Sequence, residues 1–439
     1  MNTPERYAEN LRAMLRQETI SDYGMTDFTK FLAFHRTLEE IFPHLFAVCE
    51  KEVFHGSLLL RWKGTGTGAP ILLMNHHDVV PPAGSWTHPP FAGEIAEGKL
   101  YGRGALDTKG GLWAMLQAAD DLIAEGFTPE RDIYFESSCN EETDWAGARE
   151  ITAVLQQRGI RFSYVLDEGG MILYEPISGA KDTFAMIGMG ERGVAELKFT
   201  ARGTGGHASS PDRDTPLVRL GKFMAEADTT PLFPAELSPA IREMLRRLAP
   251  SVQGPLRTVY AHPVLFGPVL KRVMPRLSGT AKALLQTTIA FTMAEGSEGR
   301  GILPTEAWVI ASMRTSHHQG YRDSLAAITK LAKKYDITVE VLDPANDSVL
   351  SSCDTEEYRT LEKAVTFAFP RAKPCPYVMT GASDACFLSR LTDNCYHFVP
   401  FLIDENQLES IHGVDESVDL STLAPAVRFY QYLMTGGTL

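Results

Sequence analysis

Two adjacent glutamates, Glu141 and Glu142, close the apolar run in "RDIYFESSCNEETDWAG". Like charges side by side repel, so a surface that needed only solubility would space them out. The ends of other apolar runs carry similar groups. "ILLM" is followed by Asn75, His76, His77 and Asp78, and "YVL" by Asp167 and Glu168. "VMTGA" leads to Ser383 and Asp384, "HFVPFLIDENQLESI" leads to His412, and the loop "YGRGALDTKGG" supplies Asp107. In parallel α/β sheets ligands bind beyond the carboxyl ends of the strands. Six separated segments can therefore bring His and carboxylate groups to one edge.

This donor set is nitrogen and oxygen without thiolate, which suits Zn²⁺, Co²⁺ or Mn²⁺ better than Ca²⁺ or Mg²⁺. Two histidines and three or four carboxylates exceed what one tetrahedral zinc uses. Two metals sharing a bridging carboxylate, roughly 3.5–4 Å apart, would use them all and generate hydroxide near neutral pH, which points to hydrolysis. In "His-x-Asp", Asp78 is placed to accept a hydrogen bond from His76 and fix its tautomer. Each piece alone has a plainer reading. "HHD" is then a polar loop, Asp107 and Asp167–Glu168 are turn residues, and His412 is structural. Their joint occurrence favours the metal site.

Alternating elements must position these groups. "ERYAENLRAMLRQ" and "DFTKFLAFHRTLEEIF" have helical spacing, the second started by Asp27 and stopped by Pro43. "SLLLRWKG", "APILLMNHHD", "RDIYFESSC" and "FSYVLDEGG" are strands, interleaved with helices that end at Gly126 and Gly159. This order predicts an α/β layer with a largely parallel sheet. The texture then changes. "VAELKFTARG" alternates as a half-exposed antiparallel strand does. A helix, two more strands, a helix and "ITVEVLD" complete a β-α-β-β-α-β order, a ferredoxin-like sandwich. Extra helices in a Pro-, Leu- and Arg-rich stretch at about 230–285 are expected as an insertion in this smaller module. From about 355 the α/β texture returns, with "PYVMT" and "CYHFVPFL" as strands. The expected organisation is a discontinuous domain, 1–190 with 346–439, interrupted by a lid/dimerisation domain at 191–345.

The chain's 439 residues suit two or three domains. A formal net charge of −13 argues against a nucleic-acid backbone, and equally disfavours an anionic membrane surface. The six cysteines form no CxxC pair and are expected to be reduced. With a charged N-terminal stretch and no long apolar run, a cytoplasmic protein is expected.

"LLMNHHDVVP", "YGRGALDTKGG", "NEE", "LDEGG", "GTGGHASSP", "TGASDACF" and "SIHGVDE" occur in that order. Together they resemble the zinc-dependent aminoacylase/carboxypeptidase family of co-catalytic metallopeptidases, peptidase family M20. "HGSLLLRW", "PPFAGEI" and the bulky insertion resemble its carboxypeptidase S branch, whose members cleave C-terminal residues or hydrolyse N-acyl amino acids. The resemblance implies two zinc ions per chain. His76 and Glu168 would hold one, Glu142 and His412 the other, and Asp107 would bridge. It implies a cis peptide at Asp107–Thr108, Glu141 as general base, and His207 stabilising the oxyanion, often from the partner subunit of a homodimer. Arg314 would hold the substrate carboxylate, and Gly381 and Ser383 would shape the substrate-end loop. Asn140 departs from the pattern, where an Asp is common, and Gly301 stands where an Asn is common. The leading expectation is hydrolysis of an amide or peptide bond next to a free carboxylate. An aminopeptidase or dipeptidase, and a binding protein without turnover, are the alternatives.

Overall fold

The computed structural model describes residues 4–177, 179–342 and 349–438. A ten-stranded sheet forms its larger part. At the centre Ile133–Ser137, Ile71–Met74, Val165–Asp167 and Cys395–His397 run parallel. Antiparallel strands flank them, with Ser57–Trp62 and Glu50–Phe54 on one side, and Thr183–Gly188 and Ile172–Tyr174 on the other. The central strands are apolar on both faces because both are covered. Ile71 and Leu73 enter one core, while Leu72 and Met74 enter the opposite one. Helices Lys109–Ala124 and Leu420–Met434 pack over the first face, and Ala146–Gln157 over the second.

Several element ends differ from the sequence reading. The second helix begins at Thr29, and Asp27 Oδ1 accepts from the Thr29 amide and hydroxyl as a turn before the helix. Pro43 does more than stop that helix: it opens a further one, Pro43–Val48. Proline suits the first helical position because that N–H has no partner to lose. The strand expected at "PYVMT" lies earlier, at Lys373–Tyr377. It pairs with Thr183–Gly188 alone, so Pro374 and Pro376 are tolerated there.

A separate four-stranded antiparallel sheet has the order Thr288–Glu295, Glu306–Thr315, Gly193–Arg202, Ile337–Val341. Helices Pro216–Thr229 and Gly320–Lys334 close a second core around Phe199, Phe223, Val309 and Ile328. This is the expected β-α-β-β-α-β arrangement. The expected 345/346 boundary lies outside the described residues. The chain enters this part at Glu191 and Arg192. Glu191 accepts from the Ser383 amide and hydroxyl at 2.7 and 2.8 Å. Arg192 donates to Gln286 O at 2.9 Å and Thr288 Oγ1 at 3.0 Å.

The insertion packs elsewhere than expected. Its helix Pro239–Leu248 lies against Lys373–Tyr377, and Ile241, Met244, Leu245 and Leu248 join the core of the larger sheet. The helix is sharply amphipathic, so its apolar stripe follows the largest available apolar surface, whatever its place in the chain. On its polar side Arg247 pairs with Glu243 and Glu362.

Candidate metal centre

Strand ends and loops deliver the polar groups to one edge of the large sheet. His76 follows Ile71–Met74 and is buried. Its Nδ1 donates to the backbone oxygen of Asp78 at 3.0 Å, with Asp78 Oδ1 at 3.3 Å. That fixes the tautomer and aims Nε2 at the carboxylates. Nε2 lies 3.0 Å from Asp107 Oδ1, 3.4 Å from Glu168 Oε1 and 3.9 Å from Glu141 Oε2. The other Asp107 oxygen, Oδ2, faces His412 Nε2 at 3.0 Å, and His412 also meets Glu142 Oε1 at 3.1 Å. One carboxylate thus offers an oxygen to each of two histidines.

The loop carrying Asp107 is held from below. Glu416 accepts from the amides of Leu106 at 2.7 Å and Asp107 at 3.1 Å, from Gly104, and from the Arg103 guanidinium. The Asp107–Thr108 peptide is cis. Thr108 Oγ1 donates to Asn75 Oδ1 at 2.9 Å. A Cβ at Gly111 would sit 2.3 Å from Asn75 Oδ1, so a side chain there would displace the amide that Thr108 bonds.

Asp78 holds the glutamate pair. Its Oδ1 accepts the Glu141 amide and its Oδ2 the Glu142 amide, both at 3.1 Å, with Ser21 Oγ at 2.6 Å. Asn140 takes two different partners. Its Oδ1 accepts from Gly147 N at 3.0 Å and its Nδ2 donates to Asp144 Oδ1 at 2.6 Å.

The electrostatics show what the site demands. Burial pushes Glu141 well above the usual carboxylate range, and Glu168, Asp384 and Glu142 add to it against His76. Burial likewise raises Glu168 to about 8. Burial alone would lower His76, yet Glu168, Asp107 and Asp78 hold it well above its ordinary value. Hydrogen bonds to Asp107 and Glu142 raise His412 to about 10. The converging carboxylates draw positive charge, and the two histidines supply it as protons. Divalent cations would supply it better. The ligand atoms of His76, Asp107 and Glu142, and of His76, Glu141 and Glu168, lie within 4.8 Å of one another. Donors on a tetrahedral zinc at about 2.0–2.1 Å sit roughly 3.3 Å apart, which the 3.0–3.4 Å separations of His76 Nε2 from Asp107 and Glu168 and the 3.0–3.1 Å separations of His412 Nε2 from Asp107 and Glu142 fit.

A cleft of about 630 Å³ opens over the site. Asp107, Glu141, Glu142, Glu168 and His412 form its floor, and Arg314 and Glu196 reach in from the smaller sheet. Gly381 is among the residues lining it. Ser383 is not: it is fully buried, with its hydroxyl between Asp167 Oδ2 at 2.7 Å and Glu191 Oε2 at 2.8 Å. His207 is exposed on the two-residue strand Gly206–His207, with its Nδ1 2.8 Å from Ser209 Oγ, and is not among the residues lining the cleft. Sequence reasoning missed Glu191 and Glu416. Glu416 closes the "SIHGVDE" stretch and Glu191 lies outside every motif, and nothing in the residue type marks either as the buried anchor of a loop.

The arrangement has relatives. The model of "Peptidase family M20/M25/M40" matches residues 72–436. A probable carboxypeptidase S-like 2 of Dictyostelium discoideum is 30% identical over 421 residues, covering 92% of this chain and 79% of the relative. The human N-fatty-acyl-amino acid synthase/hydrolase PM20D1 is 29% identical, covering 96% of this chain and 86% of the relative. Among solved structures, the M20 family metallo-carboxypeptidase Sso-CP2 from Sulfolobus solfataricus superposes with a TM-score of 0.74 at 16% identity, covering 99% of both chains. A family model spanning most of the chain, with a fold to match, places this protein in peptidase family M20.

Proposed function

We propose that the chain hydrolyses an amide or peptide bond next to a free carboxylate, in an N-acyl amino acid or at the C-terminal residue of a peptide. The observation that carries this reading is Asp107, which presents one oxygen to His76 and the other to His412. His76 and Glu168 would hold one divalent cation, His412 and Glu142 a second, with Asp107 shared between them. Zinc suits this donor set, with Co²⁺ or Mn²⁺ as substitutes. When bound, such a pair polarises the amide carbonyl and makes water a nucleophile near neutral pH.

The chain's own groups do the rest. Glu141 Oε2 takes the proton from the attacking water and delivers it to the leaving nitrogen. Arg314 pairs with the substrate carboxylate in a fork that lysine does not reproduce. His207 stands outside the cleft of its own chain, which supports a homodimer in which it stabilises the oxyanion in the partner's cleft. The names of the Dictyostelium and human relatives support the two substrate classes.

A dipeptidase reading draws on Glu196 and Asp144, carboxylates on the cleft wall able to take a free amine. The test is a panel of N-acyl amino acids, blocked peptides and free dipeptides on zinc- and cobalt-loaded protein. Turnover of acylated substrates is expected, and turnover of free-amine substrates alone would overturn the reading. Glu141→Gln should lower kcat by about 10²–10⁴-fold with metal content unchanged. Undiminished turnover in that variant would remove Glu141 as the base.

A further inference from the structure

The helical insertion carries an apolar row that stands exposed among the described residues. Val269, Val273 and Leu277 follow one another at intervals of four residues, with Leu265 one turn earlier. Leu265 is 75% exposed, Val269 56% and Leu277 71%. Val264 and Leu256 add to the same segment. The row beside it, Leu270 and Met274, is buried in the core of the larger sheet. The helix is therefore anchored along one stripe while the next stripe faces solvent. Leaving so many large aliphatic side chains exposed within 22 residues is unfavourable in water and marks an interaction surface.

Charge identifies what covers it. The whole chain carries −13, yet residues 244–294 contain no Asp or Glu and seven Lys or Arg. Arg272 and Arg276, four residues apart, flank the apolar row on the side away from the core, and Arg257 stands beside Leu256. All three are exposed and make no ion pair among the described residues. Against a second copy of the same face, these guanidinium groups would confront each other. Against an anionic interface they are matched, and their long stems let the apolar row sink in while the charged heads stay in the headgroup layer.

We infer that this face docks the protein on an anionic lipid bilayer, as a peripheral contact made by the insertion. The acidic remainder of the molecule is repelled by the same surface, which favours approach by this face. The average charge of the chain, which argues against membrane contact, conceals the local reversal. The surface is independent of the metal centre, and its test is independent of the hydrolytic reading.

The experiment is co-sedimentation of the full chain with vesicles of phosphatidylcholine, and of phosphatidylcholine with phosphatidylglycerol. Binding to the second is expected, with weaker binding as salt rises. Arg257→Gln, Arg272→Gln and Arg276→Gln should each weaken it about fivefold. Leu265→Ser with Val269→Ser should weaken it with no change in salt dependence. These positions are exposed, and circular dichroism of each variant checks the fold. Absence of wild-type binding to anionic vesicles would overturn the inference. So would equal binding by the variants, or a Leu265/Val269 variant that changes oligomeric state in light scattering, which would make the face a contact between copies.

Discussion

Asn140 shows how far a single atom decides a local arrangement. Its carboxamide gives an N–H to Asp144 and takes one from Gly147, so it closes the turn between the glutamate pair and the helix beyond. An Asp here would place a carboxylate 2.6 Å from another. Asn140→Asp should therefore destabilise the fold by about 1–3 kcal/mol in denaturant titration at neutral pH. Adding Asp144→Asn should restore most of that loss, a coupling readable from the double-mutant cycle. Asp78 belongs to the same scale. Asp78→Ala strips acceptors from two buried amides and a hydroxyl, and should weaken metal affinity about 10–100-fold, measured by competition with a chromogenic chelator. The sequence displayed Asp78 as a support for His76. Its grip on the glutamate amides was hidden, because a backbone donor has no sequence signature.

The elements that carry the site were legible because burial on both faces writes an unbroken apolar run and chemistry begins where the run stops. The insertion was less so. Its amphipathic pattern announced helices but not the surface they would choose, since apolar stripes attach by fit and not by chain order. If Pro239–Leu248 is part of the larger core, Met244→Ala should cost about 2–5 kcal/mol of stability in chemical denaturation while KM changes little. Short strands, such as Ile172–Tyr174 and Leu402–Ile403, were hard to separate from neighbouring loops because two or three residues hold too little periodicity.

At the scale of the whole molecule, acid stability and assembly can be predicted. His35 is buried, and burial lowers its pKa to about 4, with Lys51 adding to it against Gly56 and Glu39. An unfolded chain takes up this proton near pH 6.5, while the folded one resists until about 4. The contribution is complete above pH 6.5 and is lost as pH falls through 4, up to about 3 kcal/mol. His35→Phe should flatten the stability profile over that range in thermal melts. For assembly, Glu141→Gln and His207→Ala chains are each expected to be nearly inactive. If His207 serves the partner's cleft, mixing them should restore up to about a quarter of wild-type activity by random pairing into dimers. No recovery on mixing would place His207 outside catalysis across the interface.

The strand Gly193–Arg202 leaves Arg192 as a rigid arm of ten residues, about 30 Å long. A rotation of about 5° there would swing the far tip by roughly 3 Å and carry His207 with it, while Val194 and its neighbour Arg314 would move less than about 1 Å. Such a rotation would be quiet at the cleft and loud at the periphery. A spectroscopic label near His207 would register its motion, and a probe seated against Arg314 would scarcely notice it.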